Sequence, residues 1–319
     1  MRVQSLRAAR GAALSVLAGG ALLLSGCMSS SSSSSKTDPA DEITGTQTAF
    51  TTESAPDMVR ESFVALEDVL DAMGGISEMI GAVMDEYEGI CESGSVSYSK
   101  SGQKVTATFS SCKMDEEDGA VRVSGKATFE EVDATGDYDN AYRITLDLSH
   151  SEVGDDGSGT IKGSYRLDAV EPVDDDAPPA EAKAVFSSLL TTWSDGENEE
   201  RLALKDTTLI VEHTGSALSA LKIDGKLGFE LTKAGETLEA AFLVEGAIEE
   251  FTAGDEWDLP QSGTLTLSDD NGVDLVVDFK GDDVDPKQVV VTLDGEEIFP
   301  GDTSYPDSYE GFESWMQGN

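Results

Sequence analysis

The sequence predicts a mainly β protein: a curved antiparallel sheet, or two β lobes, with an amphipathic helical hairpin on its amino-terminal side. Three observations predict it. Beyond Glu92 apolar residues recur with period two, as in Tyr142, Ile144, Leu146 and Leu148 or Leu238, Ala240, Phe242 and Val244, the mark of strands with one buried face. Turn signals at Ser101-Gly102, Ala234-Gly235 and Asn271-Gly272 separate such runs, and strands joined that tightly must be antiparallel. Before Glu88 the apolar period is three to four, the spacing of one helical face.

Taken in chain order, residues 1–26 divide into a basic stretch with Arg2, Arg7 and Arg10, an apolar run from Ala12 to Leu24, and the tetrapeptide Leu24-Ser25-Gly26-Cys27. The apolar run falls short of the ~20 residues that span a bilayer, and small residues at Ser25 and Gly26 suit a peptidase cleft, so cleavage is expected between Gly26 and Cys27. This segment resembles the signal of bacterial lipoproteins. The resemblance implies a diacylglyceryl thioether on Cys27 and an acylated, palmitate-type amino terminus, and two or more chains make a stable membrane anchor. Met28 follows the cysteine where an aspartate would retain the protein in the inner membrane, which in Gram-negative lipoproteins implies sorting to the outer membrane. Residues 27–56 read as the lipidated cysteine and a flexible tether, since seven serines from Ser29 to Ser35 and the polar stretch to Pro56 bury too little apolar surface to order themselves.

From Asp57 to Glu88, Val59, Phe63, Leu66, Leu70, Met73, Ile76, Ile80, Val83 and Tyr87 step by three or four. Gly74-Gly75 interrupts the pattern, which predicts two short helices or one sharply bent helix. These are expected to pack on the sheet; a lid over an apolar cavity and a helix lying on the membrane are the other readings. With Cys27 lipidated, Cys91 and Cys112 remain, and an exported pair is normally a disulfide. A two-residue turn at Ser101-Gly102 sets Tyr98 opposite Val105, Val96 opposite Ala107 and Cys91 opposite Cys112, with a bulge near Gly94 needed to bring Cys91 onto the right face.

Residues 57–170 then form the helical hairpin and a first β group, and residues 171–299 a second, continuous with the first or set apart as a lobe by the Pro/Asp/Ala stretch between Glu171 and Ala182. Residues 182–193 are ambiguous between helix and strand. The acidic tail, residues 300–319, with Tyr305, Tyr309, Phe312 and Trp315, is expected to be irregular or loosely docked. A phrase recurs at Val123-Ser124-Gly125-Lys126, Ile161-Lys162-Gly163-Ser164 and Ile223-Asp224-Gly225-Lys226, each followed by an aromatic at Phe129, Tyr165 or Phe229; its uneven spacing marks a strand style and no fixed repeat. With Ser262-Gly263-Thr264-Leu265-Thr266-Leu267 and the Val289 to Gly295 run, the body resembles strand-rich proteobacterial envelope lipoproteins of unknown function, a group whose likeness implies no activity.

The chain carries 63 acidic and 21 basic residues, a formal charge of −42, which excludes a nucleic-acid partner. The acids are spread along the whole length. Two readings remain open: adaptation to high external salt, and a face that repels anionic lipid while attracting cations. Calcium is the one ion the composition could serve, with Asp133, Asp137 and Asp139, Asp155-Asp156, Asp269-Asp270-Asn271, and Asp282-Asp283 with Asp285 in turn-like segments, although none follows a known loop spacing. His150 and His213 stand alone in strands, no Gly-x-Ser-x-Gly motif occurs, and the two Ser-x-x-Lys matches at Ser97 and Ser219 are at chance frequency. The sequence therefore predicts no catalytic residue, no cofactor and no metal site, and the protein is read as a non-enzymatic lipoprotein. Two functions compete: binding an apolar ligand or envelope partner on the curved sheet, and a structural or surface role with a filled core.

Overall fold

The computed structural model describes residues 49–86, 88–116, 119–153, 157–170, 178–214, 217–233, 236–249, 260, 262–280, 289–299 and 309–317. One α-helix, α1 (Ala55–Met84), is followed by a 3₁₀ turn (Glu88–Ile90) and thirteen strands. These are β1 (Ser93–Ser101), β2 (Lys104–Glu116), β3 (Gly119–Glu131), β4 (Asn140–Glu152), β5 (Ser158–Ala169), β6 (Glu181–Ser194) and β7 (Asn198–Thr214). The series continues with β8 (Ala217–Lys233), β9 (Glu236–Glu249), β10 (Ser262–Ser268), β11 (Asp274–Lys280), β12 (Val289–Leu293) and β13 (Glu296–Phe299), and closes with helix α2 (Tyr309–Met316). Strand order follows chain order in one antiparallel, unclosed sheet. Residues 182–193 are strand, and β5 pairs β6 along its whole length, so the two β groups form a single sheet and no second lobe is present among the described residues.

The sheet must roll around α1. Thirteen flat strands would be about 60 Å wide, against a helix about 10 Å across. Yet inward side chains from Val105 in β2 to Phe299 in β13 join those of α1 in one buried cluster. Alternation puts Val105, Ala107 and Phe109, then Ile144, Leu146 and Leu148, on this concave side, and leaves the intervening residues outside. Curvature comes from the recurring phrase. Gly125 has φ +117°, and a Cβ there would lie 2.1 Å from the Asp147 carbonyl oxygen; Gly225 has φ +154°, and its Cβ would lie 2.4 Å from Thr207 Cα. Each kink faces an irregularity in the strand before it, between Phe109 and Cys112 for Gly125 and between Lys205 and Thr208 for Gly225, with Ser111 and Asp206 at φ +48°. Gly163 repeats the arrangement against the shift that skips Ser187 in β6. A bulge opposite a strand glycine bends and coils a sheet, so the phrase is a bending device used three times. The buried Thr207 hydroxyl seals one such site, accepting the Lys226 N–H at 3.1 Å and lying 2.9 Å from the Lys205 and Lys226 carbonyl oxygens.

Three expectations are corrected. The helical hairpin is one unbroken helix of 30 residues. Gly74 lies on its exposed side, and the neighbouring Met73, Ile76 and Ile80 are buried against the sheet. Burial of that face outweighs the helix penalty of about 1 kcal/mol per glycine. The first hairpin turns at Gly102-Gln103, with Ser101 opposite Lys104, so Tyr98 faces Ala107 and Val96 faces Phe109. The positive φ of +65° falls on Gly102 as the first turn residue, the type II′ position, and this moves the pairing two residues along without changing either face. The end of the acidic tail is ordered: α2 buries Phe312, Trp315 and Met316, with Phe312 edge-on to Phe279 at 5.9 Å and to Phe299 at 5.7 Å. Arg60 of α1 holds its carboxyl end, donating from Nη1 to the Met316 carbonyl at 2.9 Å.

Candidate functional site

The lipidation tetrapeptide with Cys27, Met28, the serine run, Asp155-Asp156, Asp282-Asp283 with Asp285, the Ala234-Gly235 turn, Tyr305 and residues 171–177 lie outside the described residues. Cys91 and Cys112 are bonded, with Cα atoms 5.1 Å apart, inside the range a disulfide permits. The bulge expected near Gly94 is present: pairing slips between Ser93 and Ser95, and Gly94 takes φ +85° with no room for a Cβ beside Ser111. Cys112 is fully buried on the concave side. Beside the bond, the Glu92 N–H donates to the Lys113 carbonyl at 2.8 Å, and Lys113 Nζ meets the Glu92 carboxylate at 2.6 Å. The staple thus ties the segment leaving α1 to the sheet beneath it.

The concave side, where an apolar ligand would sit, is occupied by α1. Leu66, Val69 and Val83 are at most 1% exposed, and Phe63 meets Phe279 edge-on at 5.9 Å. A cleft opens where Val64 and Ala65 of α1 face Leu202, Phe229 and Leu231, rimmed by Glu61, Asp68 and Glu200. It has room for about 20 Å³, enough for roughly one water and far below the several hundred Å³ of a ligand pocket.

Of the aspartates singled out as calcium candidates, Asp269 spends its carboxylate on local structure. Asp269, 5% exposed, accepts N–H bonds from Asn271 (2.8 Å), Val273 (2.9 Å) and Phe50 (3.4 Å), so one carboxylate closes the β10–β11 turn and fixes the chain as it enters the body. Burial alone would raise its pKa; these N–H donors outweigh it and hold the carboxyl below the usual range. The carbonyl of Asp133 accepts from Arg166, whose guanidinium grips the buried Asp168 with two bonds of 2.6 and 2.7 Å and thereby lowers its pKa. Sequence reasoning passed over Asp168 because its partner lies two residues away on the same outward face, where an ion pair reads as solvated. Among the described residues no three His, Cys, Asp or Glu side chains converge. His213 Nδ1 lies 3.0 Å from the Pro179 carbonyl, and burial lowers its pKa; His150 sits over Gly159, whose Cβ would come within 2.6 Å of the ring.

Among the described residues no helix is long and apolar enough to cross a membrane. Comparison with protein-family models, with curated proteins and with solved structures returns no match.

Proposed function

We propose that the chain is a non-enzymatic lipoprotein, held on the outer membrane through acyl chains on Cys27, whose strand-rich body works as a filled, disulfide-stapled scaffold with a strongly acidic surface. The observation that carries the reading is the occupancy of the concave side: among the described residues α1 and α2 pack into the space that a carrier would keep for its ligand, and the cleft beside Phe229 has room for about 20 Å³. A lipid chain laid along the concave side where α1 packs would displace the helix, and α1 buries nearly a full face of Val, Leu, Ile, Met and Phe. At ~25 cal/mol per Å² of apolar surface that is a costly displacement. The charge of −42 supports a role at a surface bathed in salt, where screening removes most of the repulsion.

Two measurements test the reading. Membrane fractionation of Cys27→Ala should release the protein in soluble form, and a variant that still partitions fully with membranes contradicts the anchor. Titration of a fluorescent fatty acid into the full-length protein in a low-lipid detergent should show no saturable site; stoichiometric uptake supports the carrier reading in place of the scaffold.

A further inference from the structure

The outer face of β1–β5 differs in chemistry from the rest of the chain. Four outward positions on each strand, residues 95–101 of β1, 104–110 of β2, 124–130 of β3, 143–149 of β4 and 160–166 of β5, taken at every second residue, align across the sheet into three continuous rows and a fourth that is broken at the β2 bulge between Ser110 and Ser124. One row reads Ser99, Thr106, Thr128, Thr145, Ser164 and the next Ser97, Thr108, Lys126, Asp147, Lys162. Of the twenty positions thirteen are Ser or Thr, five Lys or Arg and two acidic, with no apolar residue, and every one is exposed or half-buried. In a chain with three acids to each base, this patch carries a net charge of +3.

The two acids are already engaged, Glu130 by Arg143 at 2.9 Å and Asp147 by Lys162 at 3.8 Å, while Arg166 is held by Asp168. Lys104 and Lys126 have no ion-pair partner among the described residues, although acids outnumber bases so heavily. Lys104 lies beside Glu130 and Lys126 beside Asp147 in the register, acids whose contacts go to Arg143 and Lys162, and the remaining neighbours of these two ammonium groups are largely hydroxyls, spaced about 4.8 Å across strands and about 6.7 Å along them. A hydroxyl both donates and accepts, as does each hydroxyl of a sugar, and these twenty positions offer no apolar side chain to a lipid tail or a hydrophobic partner surface. The acidic remainder of the body repels an anionic polymer everywhere else, which orients such a partner onto this face.

We propose that the outer face of β1–β5 binds an acidic polysaccharide, its hydroxyls matched to the Ser/Thr rows and its carboxylates to Lys104 and Lys126. The site lies on the opposite side of the sheet from α1 and does not depend on the anchor or on the filled interior. Full-length protein immobilised on a biosensor would be challenged at low salt with polygalacturonate, with neutral dextran and with polyglutamate, which carries carboxylates without sugar hydroxyls. Polygalacturonate should bind at least about tenfold more tightly than either control and weaken as salt rises. Lys104→Glu/Lys126→Glu should lose about tenfold or more, and Lys104→Gln/Lys126→Gln a smaller part. Lys233→Glu/Lys280→Glu, the same charge change elsewhere, should stay within about twofold. Far-ultraviolet circular dichroism would check that each variant is folded. Absence of polygalacturonate binding, equal binding of the three polymers, or an equal loss in the control pair overturns the proposal.

Discussion

Gly225 sits in the middle of a strand at φ +154°, pressed against Thr207 of the neighbouring strand, and Gly125 is in the same position against Asp147. A methyl at either site meets backbone that has nowhere to move, in a conformation that side chains rarely adopt. Gly225→Ala should cost roughly 2–4 kcal/mol in urea denaturation. Gly102→Ala, where a Cβ meets nothing within 4 Å, should cost only the turn strain of about 1 kcal/mol. Asp168 and Asp269 make a pH prediction. Both carboxyls are held below the usual range in the folded state, so their contribution is present in full above the unfolded value of about 3.9 and is lost as pH falls through the lower folded values. Asp269→Asn should flatten that part of the acid limb, measured as the change in midpoint between pH 5 and pH 2. At this scale the sequence was half legible. The Gly125, Gly163 and Gly225 phrases stood out, but their meaning lay in bulges on other strands, around Ser111 and Asp206, which nothing local announces.

Helix α1 runs unbroken through Gly74, whose Cβ would meet no atom within 4 Å. Gly74→Ala therefore adds helix propensity at no steric cost and should stabilise the protein by about 0.5–1 kcal/mol, read as a rise in melting temperature. A loss of stability there would mean the helix is bent in solution. Reduction of Cys91–Cys112, which closes a loop of 21 residues, should cost about 3 kcal/mol by the same readout. The helical face was legible because Val59, Phe63, Leu66 and Met73 keep the period. Whether one helix or two ran across Gly74-Gly75 stayed open, since it depends on burial against a sheet whose curvature the helix sequence does not encode. The register of β1 on β2 failed by two residues for a similar reason: Ser101-Gly102 and Gly102-Gln103 both make acceptable turns, and either keeps Val96 and Tyr98 on the inner face. Helix α2 was missed because eight residues holding Phe312 and Trp315 show too little periodicity to tell a docked helix from a loose aromatic tail.

Across the whole molecule, alternation revealed which residues face inward but not that the strands follow one another in a single meander, since alternation says nothing of strand order. The charge acts at this scale as well. With 63 acids against 21 bases, self-repulsion opposes the compact state, and the Debye length shrinks from about 30 Å at 0.01 M salt to about 3 Å at 1 M. The melting temperature should therefore climb through that range and level off once screening is complete; a flat response would mean that the acids are neutralised by bound cations. The anchor and the filled interior meet in one measurement, native mass spectrometry of the protein extracted from its own membranes. The account predicts the mass of a chain beginning at Cys27 with its acyl groups and no further adduct. A chain that retains residues 1–26, or one that carries a non-covalent lipid-sized ligand into the gas phase, would contradict it.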